Sequence, residues 1–198
     1  MKRVVVATGN AGKLAEIRAA LAFPEWEFVS VADLGGWDAP EETGGTFEEN
    51  ARIKAAAARA AFGGAALADD SGLEVDALDG EPGVRSSRYA GEDATDADNN
   101  ARLLTALDGV PADGRAARFR CAMVFLDDDG AETVASGACE GRMGTVALGD
   151  GGFGYDPLFL PDVTPGRTMA QLGMGEKNAI SHRGAALRAL RDALGPRG

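Results

Sequence analysis

The chain is poor in the residues that build thiolate and multi-histidine metal sites. It contains one histidine, His182, and two cysteines, Cys121 and Cys139, which lie far apart without a CxxC spacing. One imidazole cannot form a multi-histidine centre, and this cysteine pattern excludes the ordinary thiolate zinc sites and a disulfide-stapled fold. We therefore expect a protein of the reducing cytoplasm. Any metal must be held by carboxylates, which favours a hard ion such as Mg²⁺.

Basic residues are outnumbered by acidic ones, and long apolar segments are missing. Lys and Arg together number 20 against 31 Asp and Glu, so the formal net charge is −11. An acidic surface repels polyanions, and no apolar run approaches the ~18–20 residues that a membrane span needs. The first residues lead into Val4-Val5-Val6 without the long apolar segment of a signal peptide. We expect a soluble, untargeted protein that binds neither nucleic acid nor membranes.

Helix and strand signals alternate along the sequence. The predicted strands are Arg3 to Thr8, a stretch around Phe28 to Val31, Ala65 to Ala68, Ala117 to Leu126 and Glu132 to Gly141. Five helices are predicted. The first follows Gly12, and the others span Thr46 to about Phe62, near Thr95 to Asp108, near Met169 to Gly173, and Ser181 to Leu194. This order predicts an α/β fold with a mixed sheet, in one domain spanning residues 1–198, whose antiparallel part is the hairpin at Ala117 to Gly141.

A long polar loop precedes the helix that starts at Thr46. Residues 35–45 contain several glycines together with Glu41 and Glu42, and loops of this length usually carry function. Thr46 and Glu49 have the Thr-x-x-Glu spacing of a capping box, and Gly63-Gly64 is expected to end the helix.

The final helix begins with cations where anions are favoured. Ser181 is a good N-cap residue, but His182 and Arg183 follow it at the positive end of the helix dipole. This placement is unfavourable unless an electron-rich ligand lies there, and helix N-termini are common anion sites. Two solvated side chains on an exposed helix start would explain the same residues.

The turn after the first strand is a second candidate for anion binding. In Thr8-Gly9-Asn10-Ala11-Gly12-Lys13 the glycines free backbone N–H groups to converge on a phosphate, and Lys13 adds a positive charge. It is not a Walker A motif, because only two residues separate its glycines and Leu14 follows the lysine. An ordinary turn from strand to helix remains the alternative.

Two adjacent carboxylates follow the predicted strand Ala65 to Ala68. Asp69 and Asp70 repel each other unless a cation is present, and Glu41 is available from the loop before Thr46. Mg²⁺ held by one or two carboxylates and by substrate phosphates would satisfy them. Neighbouring side chains on an extended backbone point to opposite faces, so only one of the two can readily meet the metal. Asp-Asp-Ser-Gly is also common in turns, which is the alternative interpretation.

Aromatic residues stand among glycines at Gly151-Gly152-Phe153-Gly154-Tyr155-Asp156. A loop aromatic can stack on a nucleobase, because glycines allow close approach, although it can also cover the edge of a core. An anion-binding turn, a carboxylate pair, an aromatic platform and a cationic helix start together describe a pocket for a nucleoside triphosphate with Mg²⁺.

In this order the motifs resemble the Ham1/RdgB-like family, the inosine/xanthosine triphosphate pyrophosphatases that remove non-standard purine nucleotides. The resemblance covers nearly the whole chain and is carried by six segments: Thr8 to Lys13, Pro40 to Ala51, Ala68 to Gly72, Pro82 to Thr95, Gly151 to Pro157, and Glu176 to Leu187. It implies an elongated α/β structure with two lobes around a central active-site cleft. It also implies a requirement for Mg²⁺, a homodimer, and hydrolysis of ITP, dITP and XTP to the monophosphate and pyrophosphate.

The resemblance also assigns a role to each matching residue. The triphosphate cradle would be Thr8, Gly9, Asn10, Ala11, Gly12 and Lys13. Glu41 and Asp70 would hold the magnesium ion, and Asp70 would accept the proton of the attacking water. Ser71 would contact the nucleotide, and Lys54 and Lys177 would meet phosphates or the pocket wall. The purine would be bound by Phe153, stacked on the base, by Gly154, Tyr155 and Asp156, which line the pocket, and by His182 and Arg183.

Two other functions remain open from the sequence. One is a pyrophosphatase that removes other nucleotides, as in the Maf-like proteins of similar architecture. The other is a nucleotide sensor without turnover, against which the presence of Glu41, Asp70 and Lys13 together argues. For the purine substrates, hydrogen-bond donors aimed at a 6-oxo group would leave buried polar groups unpaired if adenine entered.

Overall fold

Helices and strands alternate along the chain in the computed structural model, which describes residues 1–195. The strands are β1 (Lys2–Val6), β2 (Trp26–Ser30), β3 (Ala65–Val75), β4 (Ala116–Leu126), β5 (Glu132–Met143) and β6 (Phe159–Pro161). The α-helices are α1 (Ala11–Ala20), α2 (Phe47–Phe62), α3 (Asp96–Ala106), α4 (Met174–Ile180) and α5 (His182–Leu194). Short 3₁₀ turns connect several of them.

The strands form a mixed sheet, as predicted. Their order is β2-β1-β3-β4-β5-β6. β1 pairs in parallel with both β2 and β3, so that Val4 lies beside Phe28 on one side and Ala65 on the other. β5 and β6 are antiparallel, with Met143 beside Phe159. The expected α/β fold with a mixed sheet is confirmed.

Helix α2 has the boundaries that its sequence signals predict. The Thr46 side chain accepts a hydrogen bond from the Glu49 N–H, and the Glu49 carboxylate accepts one from the Thr46 N–H, which completes the capping box. The helix ends at Gly63, whose φ of 69° lies in a region that residues with a side chain rarely adopt. Local sequence therefore determines both ends of this helix.

Strand β3 corrects one expectation from the sequence. The segment Asp69 to Gly72 lies within an eleven-residue strand that continues to Val75, so it is not a turn. The extended backbone is tolerated because the charges of Asp69 and Asp70 are matched by lysine and arginine side chains. The interpretation of this segment as turn chemistry is wrong.

Two elements were not predicted from the sequence. Strand β6 has three residues, and helix α4 has seven residues of which none is buried. Helix α4 meets the core of the second unit through the partly buried Ile180 at its end, so its sequence lacks the apolar periodicity on which the prediction depends. Helix α5 begins at His182, one residue later than predicted, and Ser181 before it is extended, as an N-cap residue should be.

The chain divides into two compact units. The first comprises residues 1–70, 121–137 and the segment from Arg183, and the second comprises residues 71–120 and 138–182. The first unit buries one face of α1 and of α5 on its strands, with Leu14, Ile17, Leu67, Met123, Phe125, Leu187 and Leu190 in its core. The core of the second unit includes Leu73, Leu103, Phe119, Leu158, Phe159 and Met169. The interpretation as a single domain stays a prediction.

Both cysteines are free and buried, in agreement with the expected absence of a disulfide-stapled fold. Burial raises the pKa of the Cys139 thiol to about 11, so this group is a poor nucleophile at neutral pH. Among residues 1–195, no helix has the length and apolar character to span a membrane.

Candidate active site

The glycine turn after β1 forms the N-terminus of helix α1. Asn10 is the N-cap, and its Oδ1 accepts hydrogen bonds from the N–H groups of Gly12 (2.8 Å) and Lys13 (3.1 Å). The Asn10 N–H in turn donates to Oγ1 of the buried Thr8 at 3.1 Å. Two of the backbone donors expected to hold a phosphate are thus satisfied by Asn10. An anion bound here would compete with the Asn10 side chain for them.

Behind this turn, Asp69 of β3 holds two cations. Its Oδ2 lies 3.0 Å from Lys13 Nζ and 3.4 Å from Arg183 Nη2. Glu16 of α1 also lies near Arg183, with 3.5 Å between Oε2 and Nη1. Burial raises the pKa of Asp69, but the positive charges of Lys13 and Arg183 outweigh it and hold the pKa well below its usual range. Asp69 is therefore an ionised anchor for both cations at neutral pH.

The Arg183 contacts explain the unusual start of helix α5. The guanidinium is buried and meets carboxylates from β3 and α1, so it is not a solvated side chain. The cost of a cation at a helix N-terminus is offset by these two acids. Arg183 belongs with Lys13 to the first unit, whereas residues 151–156, expected to bind the base, belong to the second.

On the opposite side of β3, Asp70 has a separate set of partners. Lys54 Nζ lies 3.0 Å from Asp70 Oδ1 and 3.2 Å from Glu42 Oε1, and the Asn50 amide donates to Asp70 Oδ2 at 3.3 Å. The expectation that Asp69 and Asp70 point to different surroundings is confirmed. Burial raises the pKa of Asp70, Glu42 adds to this effect, and Lys54 only partly opposes it. A carboxylate with a raised pKa is well suited to accept a proton.

Glu42 is a candidate site residue that the sequence interpretation did not name. It lies beside Lys54, whereas Glu41, the predicted magnesium ligand, is exposed. The signal was present in the sequence, since the two glutamates are adjacent in the same loop and nothing local distinguishes them. The role of Glu41 stays a prediction, and Glu42 becomes a second candidate for it.

The oxygen donors around Lys54 fit a hard divalent cation. Asp70 and Glu42 both lie within 3.2 Å of the same ammonium group, so two carboxylates face one position that favours positive charge. Within residues 1–195 no group of three or more His, Cys, Asp and Glu side chains could hold a metal. Mg²⁺ usually takes only one or two protein carboxylates and completes its shell with water and substrate phosphates. The residues present are compatible with that mode of binding.

Asn50 joins the acidic loop to Asp70. Its side chain is fully buried, and its Oδ1 accepts a hydrogen bond from the Gly44 N–H at 2.8 Å while its Nδ2 donates to Asp70. A Cβ atom at Gly44 would lie 2.7 Å from Asn50 Oδ1 and 2.6 Å from Glu49 Cβ, so only glycine fits. The loop that carries Glu42 is therefore fixed against helix α2 and strand β3.

In the second unit, the glycine-rich loop presents an exposed aromatic ring. Phe153 is 61% exposed, so it does not cover the edge of the core. Its backbone N–H donates to Oδ2 of the buried Asp156 at 2.9 Å, and Lys177 donates to the same oxygen. Lys177 Nζ also lies 4.5 Å from the centre of the Phe153 ring, in cation–π range. This arrangement leaves a ring available for stacking next to a cation.

The predicted base-site residues Tyr155 and His182, and Ser71, predicted to contact the nucleotide, have different surroundings in this unit. Tyr155 is buried, and its hydroxyl donates to the Ser86 carbonyl at 2.9 Å, which anchors the loop to the core. His182 stacks on Phe119, with 5.0 Å between ring centres and 18° between planes. Ser71 is half-buried on β3, next in the chain to Asp70. Tyr155 thus supports the loop rather than extending its exposed surface.

Comparison with known proteins identifies the family. The model of the Ham1 family matches residues 4–193. A protein of Exiguobacterium sibiricum named dITP/XTP pyrophosphatase is 51% identical over 193 residues, which cover 97% of this chain and 96% of that protein. A protein of the same name from Geobacter sulfurreducens is 50% identical over 198 residues, covering 100% of this chain and 99% of that one. The solved structure of the Staphylococcus aureus Ham1 protein is 40% identical, with a TM-score of 0.88 and 98% of each chain covered. The chain belongs to the Ham1 family.

Proposed function

We propose that this protein hydrolyses non-standard purine nucleoside triphosphates, namely ITP, dITP and XTP, to the nucleoside monophosphate and pyrophosphate, with Mg²⁺ as cofactor. The observation that carries the proposal is the cluster of Asp70, Lys54 and Glu42 in the first unit. It combines a proton acceptor, a phosphate-binding cation and a second carboxylate. Its occurrence in a member of the Ham1 family, whose relatives are named dITP/XTP pyrophosphatases, supports this substrate class.

The side chains of the first unit divide the reaction between them. Asp70 takes the proton of a water molecule as that water attacks the α-phosphorus, and the bond from this phosphorus to the bridging oxygen breaks so that pyrophosphate leaves. Lys13 and Lys54 hold the phosphates, and Asp69 and Asp70 keep these lysines paired before substrate arrives. Asp70 with Glu41 or Glu42 would hold Mg²⁺, which would supply positive charge to neutralise the polyphosphate.

The side chains of the second unit bind the base. Phe153 stacks on the purine, because its ring is exposed and any base offers a π-face. Stacking alone does not select among bases. Selection requires hydrogen-bond donors directed at the 6-oxo group, which would meet another donor if adenine entered.

A panel of nucleoside triphosphates tests the proposal directly. ITP, dITP, XTP, GTP, ATP, dTTP and UTP are incubated with the protein and Mg²⁺, and pyrophosphate and orthophosphate are measured separately. We expect pyrophosphate release, fastest from ITP, dITP and XTP, and loss of activity with EDTA that added Mg²⁺ restores. Preference for dTTP or UTP would contradict the substrate class. Tight ITP binding without any product would instead indicate a sensor.

Two further properties belong to the proposal: the family resemblance implies a homodimer, and the cysteine pattern predicts a protein of the reducing cytoplasm. We expect a homodimer, which light scattering coupled to size-exclusion chromatography tests on the purified protein. We also expect a cytoplasmic location, which cell fractionation tests. A monomeric mass at micromolar concentration would contradict the homodimer. Recovery of the protein outside the cytoplasmic fraction would contradict the cytoplasmic location.

A further inference from the structure

Two side chains of helix α3 hold the backbone of Gly154, the residue that follows Phe153, through its N–H and its carbonyl. The Gly154 N–H donates to Asp96 Oδ2 at 2.6 Å, and the Gly154 carbonyl accepts a hydrogen bond from Asn100 Nδ2 at 2.8 Å. Gly154 has a φ of 59°, in the left-handed region that favours glycine. Two side chains one helical turn apart therefore clamp a single residue of the aromatic loop.

Asn100 keeps this orientation although one of its own atoms is left unsatisfied. Its Nδ2 donates to the Asp96 carbonyl at 2.7 Å as well as to Gly154. Its Oδ1 is buried and has no hydrogen-bond partner within residues 1–195, which is an unfavourable state for an amide oxygen. Rotating the amide would satisfy neither carbonyl, because both need a donor. The clamp on Gly154 thus determines how Asn100 sits.

The remaining attachments of the loop do not replace this clamp. Tyr155 and Asp156 anchor the loop on the carboxyl side of Gly154, through the hydroxyl of Tyr155 and the backbone N–H that Ala170 donates to the Asp156 carbonyl. Within residues 1–195 the backbone of Phe153 itself bonds to Asp156 alone, and on the amino side of Phe153 the Gly151 N–H donates to the Ala170 carbonyl. Lys177 lies over the Phe153 ring itself, and Gly154, the next residue in the chain, fixes the backbone that carries the ring.

We propose that Asp96 and Asn100 are positioning residues for base recognition, which fix Gly154 so that the Phe153 ring is ready to stack on the purine. The proposal rests on the base-binding role of Phe153 in the proposed function. A loop that is fixed before the substrate arrives loses less conformational freedom on binding, so removal of the clamp weakens substrate binding. The first unit carries the chemical step, so kcat should change little.

The experiment compares Asn100→Ala and Asp96→Ala with a control on the same helix. The Thr105 hydroxyl donates to the Ala101 carbonyl four residues earlier, as the Asn100 amide does to Asp96, but within residues 1–195 it has no hydrogen bond to the loop. Thr105→Ala therefore removes a hydrogen bond from a side chain to the helix backbone but leaves the clamp on Gly154 intact. Asp96→Asn keeps an oxygen that can accept from Gly154 and serves as the conservative rescue.

We expect Asn100→Ala and Asp96→Ala to raise the KM for ITP roughly 3- to 10-fold, as the loss of one hydrogen bond should, with kcat within about twofold. Thr105→Ala and Asp96→Asn should keep the wild-type KM. Amide hydrogen exchange of residues 151–156, measured without substrate, should be faster only in the two variants that break the clamp. In the Phe153→Ala background, Asn100→Ala should add little to KM, because its effect passes through the ring.

An unchanged KM in Asn100→Ala and Asp96→Ala, or equal effects in Thr105→Ala, would overturn the inference. An unchanged KM in Phe153→Ala would also overturn it, since the ring would then not bind the base. Failure of the wild-type protein to release pyrophosphate from ITP would refute the proposed function instead. Hydrogen exchange needs no turnover, so it decides separately whether α3 fixes the loop.

Discussion

Asp69→Asn removes one charge from the centre of a buried ion cluster without changing the size of the side chain. In the native protein the Asp69 side chain is 4% exposed, and that of Arg183, its partner at 3.4 Å, is 7% exposed. The variant leaves the Arg183 guanidinium buried, and among residues 1–195 Glu16 at 3.5 Å is then the one carboxylate paired with it. Loss of one member of a buried pair is strongly destabilising because the remaining charge is desolvated and unpaired.

The structure sets the size of the effect. Breaking a buried pair costs about 3–5 kcal/mol, and we expect a loss near 3 kcal/mol because Glu16 remains and Lys13 can reach water. The Lys13 side chain is 27% exposed, so water can solvate its charge in the variant. With a urea m value of about 2 kcal/mol/M, the unfolding midpoint should fall by about 1.5 M. Urea unfolding at pH 7, followed by circular dichroism, measures this shift.

A surface pair supplies the control. Arg52 and Glu132 form an exposed ion pair, so Glu132→Gln should cost less than about 1 kcal/mol. Adding Arg183→Met to Asp69→Asn should recover part of the lost stability, because it removes the unpaired cation. A loss in Asp69→Asn no larger than that in Glu132→Gln would refute the view that Asp69 anchors buried charge.

The same variant has a defined pH dependence. Because the folded-state pKa of Asp69 lies below its unfolded value, its ionisation stabilises the protein above the unfolded pKa of about 4, and this stability is lost as pH falls further. The difference in unfolding free energy between wild type and Asp69→Asn should therefore be constant from pH 7 to pH 5 and shrink below about pH 4. If this difference in unfolding free energy grew as the pH fell, it would contradict a lowered pKa of Asp69 in the folded protein.

Three other variants test separate parts of the molecule. Asp70→Asn should lower kcat for ITP by about 10²–10⁴-fold, because an amide cannot accept the water's proton, while the circular dichroism spectrum stays unchanged. Near-normal turnover would contradict the role of Asp70 as proton acceptor. Lys13→Ala should reduce kcat/KM by about 10- to 100-fold through loss of a charged hydrogen bond to phosphate, and an unaltered value would remove Lys13 from the site. Arg115→Ala should cost about 2–4 kcal/mol in urea unfolding with kcat unchanged, since it removes the three hydrogen bonds that the buried guanidinium donates to backbone carbonyls. A loss below about 1 kcal/mol would contradict this role. In the native protein its guanidinium donates to the carbonyls of Leu107, Val110 and Gly144.

The sequence predicted those elements whose signals are local. The capping box of Thr46 and Glu49 and the glycine at position 63 define α2 by contacts within a few residues, and the structure agrees at both ends. The continuation of β3 through Asp69 and Asp70 depends on Lys13, Lys54 and Arg183, which are distant in sequence. Local turn statistics cannot register such partners, so the prediction ended the strand too early.

For the candidate site, residue types were predictable but their partners were not. The acidic loop was recognisable, yet the choice between Glu41 and Glu42 depends on which side chain reaches Lys54. Arg183 stood out as a cation at a helix start, whereas the carboxylates that balance it come from β3 and α1. The clamp of Asp96 and Asn100 on Gly154 left no signal, because both residues are ordinary on a polar helix face.

Asp69 and Asp70 show how two adjacent carboxylates acquire opposite properties on one strand. Burial disfavours the charged form of both, so the difference must come from their neighbours. Asp69 faces the two cations Lys13 and Arg183 and stays ionised, which suits an anchor that must hold charge permanently. Asp70 faces one cation and the negative charge of Glu42, so its pKa rises and proton uptake becomes easier. Strand alternation alone separates these environments, and a one-residue shift in the register of β3 could place Asp69 in the surroundings of Asp70 only by putting Ala68 beside Lys13 and Arg183, which would then lose their anchor.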